Sequence, residues 1–372
     1  MKNKTINVIF YHPNFNYGGV ERTNLSHAKN LRSANKNIKI FFLSSFFNKT
    51  NKKLLKKKNI FFIETRYKKS IFSIYKILKI LKNFQRLNQQ LVFIACQNYA
   101  SIISVFIFFI FKYQKAKLIL FDRNHIDEMI FNKNLKKNFI FFTMKFFYKY
   151  ADIVLTNSFE SSKDLSKFIK KKVFTVYNNI NFQKIRQLSK EKIIDKDIRL
   201  EKRKILISIG RLEPQKDFLT LIKAFNDKRI ISKYKLLIIG SGSQNRLIQN
   251  YIKKNFLEKD IILKGYKKNP YNYLAKSYFY IMPSLYEGLP NSLIDSINLN
   301  KPVLSSNCKS GPKEIFSILK FGTFFQKGDV ENLRKKIIKF DKKYAVYKKN
   351  IIKNKKKLIY KFKVNSNLNS FL

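Results

Sequence analysis

The chain has 372 residues, too many for one ordinary hydrophobic core and enough for two domains of about 150–200 residues each. Its 77 lysines and arginines outnumber 23 aspartates and glutamates, for a formal net charge of +54. Exposed faces should therefore attract phosphates, nucleic acid or anionic lipid. AT-rich coding, without selection for a partner, is the alternative origin of this charge and of the abundant Lys, Asn, Ile and Phe. Cys96 and Cys308 fit no paired or metal-binding spacing, which excludes a disulfide framework and favours a reducing compartment.

The N-terminus, MKNKTINVIFY, begins with a strand-like run and lacks the apolar segment of a secretory signal, so we expect a cytoplasmic protein. The uncharged stretch 91–111, LVFIACQNYASIISVFIFFIF, is long enough to span a bilayer. However, the polar Gln97 and Asn98 divide it into a short apolar strand and a separate helix. That division is typical of a buried strand–helix unit.

Strand-like runs alternate with helical patterns through the first half of the chain. In order they are INVIF, VERTNLSHAKNLRSA, IKIFFL, NIFFIE, a helix over 70–87, LVFIA, a helix after Asn98, KLILF, a helix over 135–150, DIVLTNS, ESSKDLSKFI and VFTVYNN. A second alternating series runs from KILISIG through YKLLIIG, DIILKG, YFYIMPS and PVLSS to a helical tail. This alternation predicts an α/β protein with two doubly wound, Rossmann-like parallel sheets facing each other across a cleft.

The periodicity fails between the two series, in the charged segment KEKIIDKDIRLEKRK. We therefore predict an N-terminal Rossmann-like domain over 1–185, a linker over 186–203 and a C-terminal Rossmann-like domain over 204–345. A helical tail over 346–372 would cross back to the first domain. Ligands of such sheets bind at the carboxyl ends of the strands.

Polar groups and glycines follow these strand ends in the second series. Gly210 allows a sharp turn after KILISIG, and Arg211 and Lys216 project cations that suit a pyrophosphate. Gly240 and Gly242, after YKLLIIG, allow a phosphate or ribose to approach the backbone. A solvated loop is the alternative for each. The full dinucleotide fingerprint is missing, so a nicotinamide enzyme is disfavoured.

The stretch LYEGLPNSLID places two carboxylates around the start of a helix. Pro290 suits the first helical position, and the free N–H groups behind it favour a phosphate. Asp295 shares a helix face with Asn291 and can accept both hydroxyls of a ribose, while Glu287 can reach a sugar hydroxyl. The alternative is that a carboxylate there only complements the helix dipole.

Together these motifs resemble glycosyltransferase family four, retaining nucleotide-sugar-dependent enzymes of the GT-B type. The resemblance covers most of the chain and includes the glycine loop GGVER, the segments NSFESSKDL and VYNNINF, and SGPKEI with GLPNSLID. It is strongest to enzymes that transfer hexose or N-acetylhexosamine from UDP-sugars in bacterial surface-glycan assembly, such as lipopolysaccharide.

The resemblance implies that 1–185 is the acceptor-side domain and that 204–345 is the nucleotide-sugar-binding domain. It also implies a role for each matching residue. Arg211 and Lys216 would hold the donor diphosphate, and Glu287 would face the transferred sugar. The other implied donor-binding residues are Gly18, Gly19, His125, Gly210, Gly240, Gly288, Leu289, Asn291 and Asp295, and Arg22 is a candidate acceptor contact. The family usually has Glu where this chain has Asp295. Because aspartate is one methylene shorter, contact with the ribose requires either a helix that lies closer to the nucleotide or a bridging water.

The implied reaction is attack by an acceptor hydroxyl on the face that the nucleotide leaves, without a protein nucleophile. We expect neither a metal nor another cofactor, because His12, His27 and His125 form no ligand spacing and the Asp195-Lys196-Asp197 motif lies in the predicted linker. The two carboxylates, Glu287 and Asp295, do not resemble the opposed acid and base of a hydrolase.

Two Lys-bearing helical segments, YKKSIFSIYKILKILKNFQRL and LKKNFIFFTMKFFYKY, have broad apolar faces. Lys76, Lys79 and Arg86 form a stripe on the first, which favours an anionic membrane surface or an ordinary solvated face. We expect a peripheral protein on the inner face of the cytoplasmic membrane, with a polyprenyl-diphosphate-linked glycan acceptor and no nucleic-acid partner. The alternatives are a basic nucleic-acid-binding protein and a catalytically inactive relative.

Overall fold

The structure is a computed structural model and describes residues 5–15, 18–67, 70–111, 113–123, 125–126, 135–199 and 201–372. The chain folds into two compact units. The N-terminal unit comprises Met1–Ile180 and Phe362–Leu372, and the C-terminal unit comprises Asn181–Lys361.

The N-terminal unit is built on a parallel sheet. Its strands are β1 (Ile6–Tyr11), β2 (Ile38–Ser44), β3 (Phe61–Glu64), β4 (Gln90–Cys96), β5 (Ala116–Asp122), β6 (Ile153–Thr156) and β7 (Val173–Thr175). Its helices are α1 (Gly19–Ala34), α2 (Lys49–Lys57), α3 (Ile74–Arg86), α4 (Asn98–Ile110), α5 (Leu135–Phe147) and α6 (Phe159–Ile169). The strand order is β3-β2-β1-β4-β5-β6-β7, so the winding direction reverses between β1 and β4.

Two hydrophobic cores lie on opposite faces of this sheet. Along β1, Val8 and Phe10 pack into one core, and Ile9 and Tyr11 pack into the other. A strand buried on both faces needs apolar residues at successive positions, which explains why these strands have continuous apolar sequences.

The C-terminal residues complete one of these cores. Leu368 is buried among the α1-side residues, and Phe371 packs against Phe174 with ring centroids 5.3 Å apart. Phe362 stacks on Tyr177 at 4.8 Å, and the Tyr177 N–H donates to the carbonyl of Asn365 at 2.9 Å. The last residues of the chain are therefore part of the N-terminal unit.

The C-terminal unit contains a second parallel sheet, of order β10-β9-β8-β11-β12-β13. Its strands are β8 (Lys204–Ile209), β9 (Tyr234–Ile239), β10 (Ile261–Leu263), β11 (Phe279–Met282), β12 (Val303–Ser306) and β13 (Thr323–Phe325). Its helices are α7 (Phe182–Leu188), α8 (Lys196–Arg199), α9 (Phe218–Phe225), α10 (Lys228–Ile231), α11 (Asn245–Lys254), α12 (Tyr271–Lys276), α13 (Asn291–Asn298), α14 (Gly311–Leu319) and α15 (Val330–Phe340), followed by α16 (Tyr344–Val364). The winding reverses between β8 and β11.

These sheets confirm the predicted α/β fold class with two Rossmann-like units. The stretch 91–111 is divided as predicted, into β4 and α4. Helices α2, α7, α10 and α12 and strand β13 have no counterpart among the predicted elements. Strand β13 has only three residues, and α2 buries only Asn51 and Leu55, so neither has a readable periodicity. The segment predicted as a linker, 186–203, contains α8 and lies in the C-terminal unit.

Candidate functional site

Most of the predicted donor-binding residues lie at the carboxyl edge of the second sheet. They follow β8, β9 and β11, the strands around the reversal point. In such sheets this edge carries exposed loops and helix N-termini, so it is the position where ligands bind.

The loops after β8 and β9 lie against each other through their backbones. The Gly210 N–H donates to the carbonyl of Ile239 at 3.0 Å, and the Leu212 N–H donates to that of Ser241 at 2.9 Å. A Cβ added at Gly240 would lie 1.7 Å from the Gly210 oxygen, and one at Gly242 would lie 2.4 Å from the Leu212 oxygen. The close packing of the two loops therefore requires glycine at both positions. The sequence pattern did not reveal this requirement.

The sharp turn expected at Gly210 does not depend on a backbone conformation that only glycine adopts easily. Its backbone does not adopt a positive φ, and a Cβ there would meet the Lys216 side chain at an ordinary 3.5 Å. The glycine leaves open space above the aliphatic part of Lys216. Arg211, one residue further on, is exposed and makes no ion pair within the described ranges.

Lys216 and Glu287 form an ion pair at the centre of this edge. The Lys216 ammonium contacts Oε1 of Glu287, and the two side chains are 18% and 8% exposed. The Ser284 hydroxyl donates to the same oxygen at 2.6 Å. Because both donors bind Oε1, the carboxylate is fixed in one orientation.

The backbone holds these partners in register. Lys216 ends a 3₁₀ turn, Pro214–Lys216, and the carbonyl of Gln215 accepts from the Leu285 N–H at 2.9 Å. The Gln215 side-chain amide donates to the carbonyl of Tyr286 at 2.8 Å. Gln215 thereby ties the Lys216 turn to the Glu287 loop. Neither Gln215 nor Ser284 was identified from the sequence, because their partners are known only once the strands are placed.

The turn around Gly288 is fixed by the segment that precedes α14. The Gly311 N–H donates to the Gly288 carbonyl at 2.8 Å, and the Ser310 hydroxyl donates to it at 3.2 Å. A Cβ on Gly311 would lie 2.3 Å from the Gly288 oxygen. Ser310 has φ 76°, a strained conformation for a serine that is typical of functional sites.

Helix α13 begins at Asn291, with Pro290 as its N-cap in an extended conformation, one position before the predicted one. Leu289 is buried, and Asn291 and Asp295 are half-buried and four residues apart on one helix face. Below them the buried Tyr280 hydroxyl bonds to Ser292 at 2.7 Å. Burial raises the pKa of Tyr280, and the negative charges of Glu287 and Asp295 raise it further.

The N-terminal unit contains the other predicted residues. Gly18 is the N-cap of α1, and its N–H donates to the Glu21 carboxylate at 2.8 Å. Gly19 is the first helical residue, and Arg22 is exposed on α1. His125 is 1% exposed, and its Nε2 bonds to Asp164 at 3.1 Å. Its donor-binding role stays a prediction.

A buried arginine in this unit was not identified from the sequence. Arg123 follows β5, is 5% exposed, and donates to Asn178 at 2.8 Å and to Asn24. Its guanidinium lies 4.0 Å from the centroid of the Phe121 ring. Burial lowers the pKa of Arg123 to about 10, and burial together with the Arg123 charge lowers the pKa of His12 to about 3. The only sequence signal is a cation directly after an apolar strand.

Among the described residues no three His, Cys, Asp or Glu side chains cluster as a metal ion would require. Asp195 and Asp197 pair with Lys264, and Asp195 also pairs with Lys267 at 3.2 Å, so they hold the α8 segment to the sheet edge. In the described part of the chain, no helix is long and apolar enough to cross a membrane.

Comparison with known proteins defines the class. The model of the family "Glycosyl transferases group 1" matches residues 189–358. An uncharacterized glycosyltransferase of Methanocaldococcus jannaschii is 36% identical over 250 residues, which are 65% of this chain and 60% of that protein. The N-acetylgalactosamine-N,N'-diacetylbacillosaminyl-diphospho-undecaprenol 4-alpha-N-acetylgalactosaminyltransferase of Campylobacter jejuni is 30% identical over 256 residues, 67% of this chain and 68% of that one.

Solved structures share the fold at low identity. HepE of Anabaena in complex with UDP-glucose has a TM-score of 0.76 at 15% identity and covers 98% of this chain and 100% of its own. TarM of Staphylococcus aureus has a TM-score of 0.73 at 14% identity, with coverages of 99% and 98%. These likenesses confirm the GT-B fold class. The chain belongs to the group 1 glycosyl transferases, which confirms the resemblance seen in its motifs.

Proposed function

We propose that the protein is a retaining, metal-independent glycosyltransferase that moves a hexose or N-acetylhexosamine from a UDP-sugar to a hydroxyl of a growing, lipid-linked glycan. The observation that carries the proposal is the ion pair of Lys216 and Glu287 at the reversal point of the second sheet, beside the start of α13. The Campylobacter relative and an Escherichia coli relative, 27% identical over 142 residues, have names that specify diphospho-undecaprenol acceptors.

The donor diphosphate would lie against Arg211, Lys216 and the N–H groups at the start of α13. Departure of the nucleotide leaves negative charge on its phosphates, and preorganised cations and N–H donors stabilise that charge. In the structure the Lys216 ammonium is held by Glu287, so it is already ordered and needs little rearrangement to meet a phosphate oxygen. Arg211, exposed at the strand end, would supply the second cation.

Glu287 would bind hydroxyls of the transferred sugar, and Asp295 would bind the ribose. Both carboxylates come from one segment at one sheet edge, whereas a hydrolytic acid and base must flank the bond that is cut. As the family resemblance implies, the proposed reaction forms the new glycosidic bond on the face from which the nucleotide departs. The acceptor hydroxyl attacks the anomeric carbon, the anomeric carbon–oxygen bond to the diphosphate breaks, and the hydroxyl proton leaves with the diphosphate.

A lipid-linked acceptor would place the protein on the inner face of the cytoplasmic membrane. Helices α3 and α5 carry the lysines that favour this location, and on α3 Lys79, Lys82 and Arg86 line one groove beside Phe84. The relatives' names support surface-glycan assembly, including amylovoran synthesis for an Erwinia amylovora protein 26% identical over 304 residues.

The test is a panel of UDP-sugars screened by thermal unfolding of the purified protein. A ligand at about 100 times its dissociation constant stabilises the folded state by about 2.7 kcal/mol, a rise of roughly 5–10 °C for a unit of this size. Turnover with the best donor, followed by NMR of the anomeric configuration, then tests retention. If no UDP-sugar stabilises the protein while DNA or RNA binds with a steep salt dependence, the nucleic-acid alternative replaces this proposal.

A further inference from the structure

The outer face of α5 is aromatic, although its inner face already fills the core. Ile140, Met144 and Tyr148 point inward and are fully buried. Phe139, Phe142 and Phe146, at spacings of three and four residues, lie on the opposite side and are exposed. A solvated helix would carry polar residues at these three positions.

Neighbouring residues extend this surface. We define the α5 patch as Phe109, Ile110, Phe139, Phe142, Phe146 and Tyr150, which are 44–76% exposed. The rings of Phe142 and Phe146 lie 4.5 Å apart, and those of Phe109 and Tyr150 lie 5.3 Å apart. Single exposed apolar residues are normal, but exposed rings packed in pairs on one helix and its neighbour are typical of an interaction surface.

Cations surround these rings. The Lys145 ammonium lies 5.9 Å from the Phe146 ring centroid, and that of Lys149 lies 5.2 Å from the Tyr150 centroid. The sequences of α4 and α5, NYASIISVFIFFI and LKKNFIFFTMKFF, contain no aspartate or glutamate. An apolar strip bordered by lysines complements a bilayer with acidic headgroups, because the rings enter the acyl boundary while the ammonium groups stay at the phosphates.

We propose that the α5 patch is the surface by which the protein docks on an anionic lipid bilayer. The inference rests on the proposed function only in that a lipid-linked acceptor requires a membrane. It assigns docking to the outer face of α5, where the aromatic residues are, and not to the α3 groove, whose lysines border a concave surface.

The chain has no tryptophan, so one introduced residue reports on the patch alone. Phe142→Trp should show a blue-shifted emission with vesicles of phosphatidylcholine and phosphatidylglycerol, and lipids brominated on their acyl chains should quench it. The matched control is Phe256→Trp, at an 87% exposed position in the C-terminal unit, which should show neither effect.

The triple variant Phe139→Ser/Phe142→Ser/Phe146→Ser should lose vesicle partitioning by about tenfold or more, because three exposed rings no longer bury apolar area. The variant Lys145→Gln/Lys149→Gln should lose about fivefold per lysine on anionic vesicles only. The control Leu247→Ser/Phe256→Ser/Tyr266→Ser removes as many exposed apolar residues elsewhere and should partition normally.

Thermal stabilisation by UDP is measured on every variant, so a failure to dock is separable from a failure of the donor site. The triple variant should keep the UDP response of the wild type. The proposal would be overturned if the triple variant partitioned onto the vesicles as strongly as the wild type does. A wild-type dimer that the triple substitution converts to a monomer without any vesicle binding would also overturn it, since the patch would then be a self-association surface.

Discussion

Replacement of Lys216 by methionine tests the centre of the proposed donor site. The substitution removes the ammonium but keeps most of the aliphatic volume. The Glu287 carboxylate, which is 8% exposed in the ion pair, then keeps the Ser284 hydroxyl as its one side-chain donor among the described residues. Removal of one partner of a buried pair costs about 3–5 kcal/mol. Because Lys216 is partly exposed and Ser284 remains, we expect about 2–3 kcal/mol, or roughly 5–10 °C in the melting temperature.

Catalysis should be affected far more than stability. If Lys216 stabilises the departing diphosphate, kcat should fall by about 10²–10³, equivalent to about 2.7–4 kcal/mol. The double variant Lys216→Met/Glu287→Gln should recover most of the lost stability, since no unpaired buried charge remains, yet it should stay inactive. Turnover is measured well below the melting temperature of each variant, and circular dichroism monitors unfolding.

The chain contains a matched control for this substitution. Lys235, 15% exposed, pairs with the 11% exposed Glu201 at 2.8 Å, near the start of β9 and thus at the opposite edge of the same sheet. Lys235→Met should lose less stability, because Arg203 still pairs with Glu201 at 3.3 Å, and it should retain turnover. If Lys216→Met behaves like Lys235→Met, losing stability while kcat is unchanged, Lys216 has only a structural role and the reasoning is refuted.

Three further substitutions probe the C-terminal unit. Ser284→Ala should lower kcat about tenfold with little change in UDP affinity, because the Glu287 carboxylate loses one of its two anchors; unchanged kcat would make the serine dispensable. Gly240→Ala should destabilise the unit by several kcal/mol in thermal unfolding, whereas a neutral result would contradict the loop packing. Burial raises the pKa of Glu201, but hydrogen bonds from Lys235 and Arg203 outweigh it and lower the pKa to about 2. Its stabilisation, on the order of 3 kcal/mol, is therefore present above about pH 4.5 and lost as the pH falls toward 2, and acid titration of Glu201→Gln should lack this loss.

The sequence allowed the fold and the edge of the site to be predicted, because both follow from local patterns. Apolar runs buried on two faces are continuous, and the glycines and polar residues behind them mark the strand ends. The chemistry of the edge could not be predicted in the same way. Lys216 and Glu287 lie 71 residues apart, and only the adjacency of β8 and β11 makes them partners. Gly240 was assigned to a ligand, which stays a prediction, and nothing in the sequence indicated that a Cβ there would meet the carbonyl of Gly210 at another strand end.

The scarcity of acid in this chain gives its carboxylates diagnostic value. The chain has 77 Lys and Arg for 23 Asp and Glu, so there are too few carboxylates to pair with most lysines. An ion pair therefore marks a position where the fold requires a carboxylate. Glu201 closes the amino edge of the second sheet, Asp195 holds α8, and Asp341 binds both Lys204 and the Tyr278 hydroxyl. Asp195 also pairs at the carboxyl edge, but with lysines that follow the outer strand β10. Glu287 differs from all three, because its partner follows β8 at the reversal point, where ligands bind. A sugar nucleotide bound there would bring its phosphates to Lys216 and Arg211, and we infer that Glu287 keeps Lys216 ordered until then.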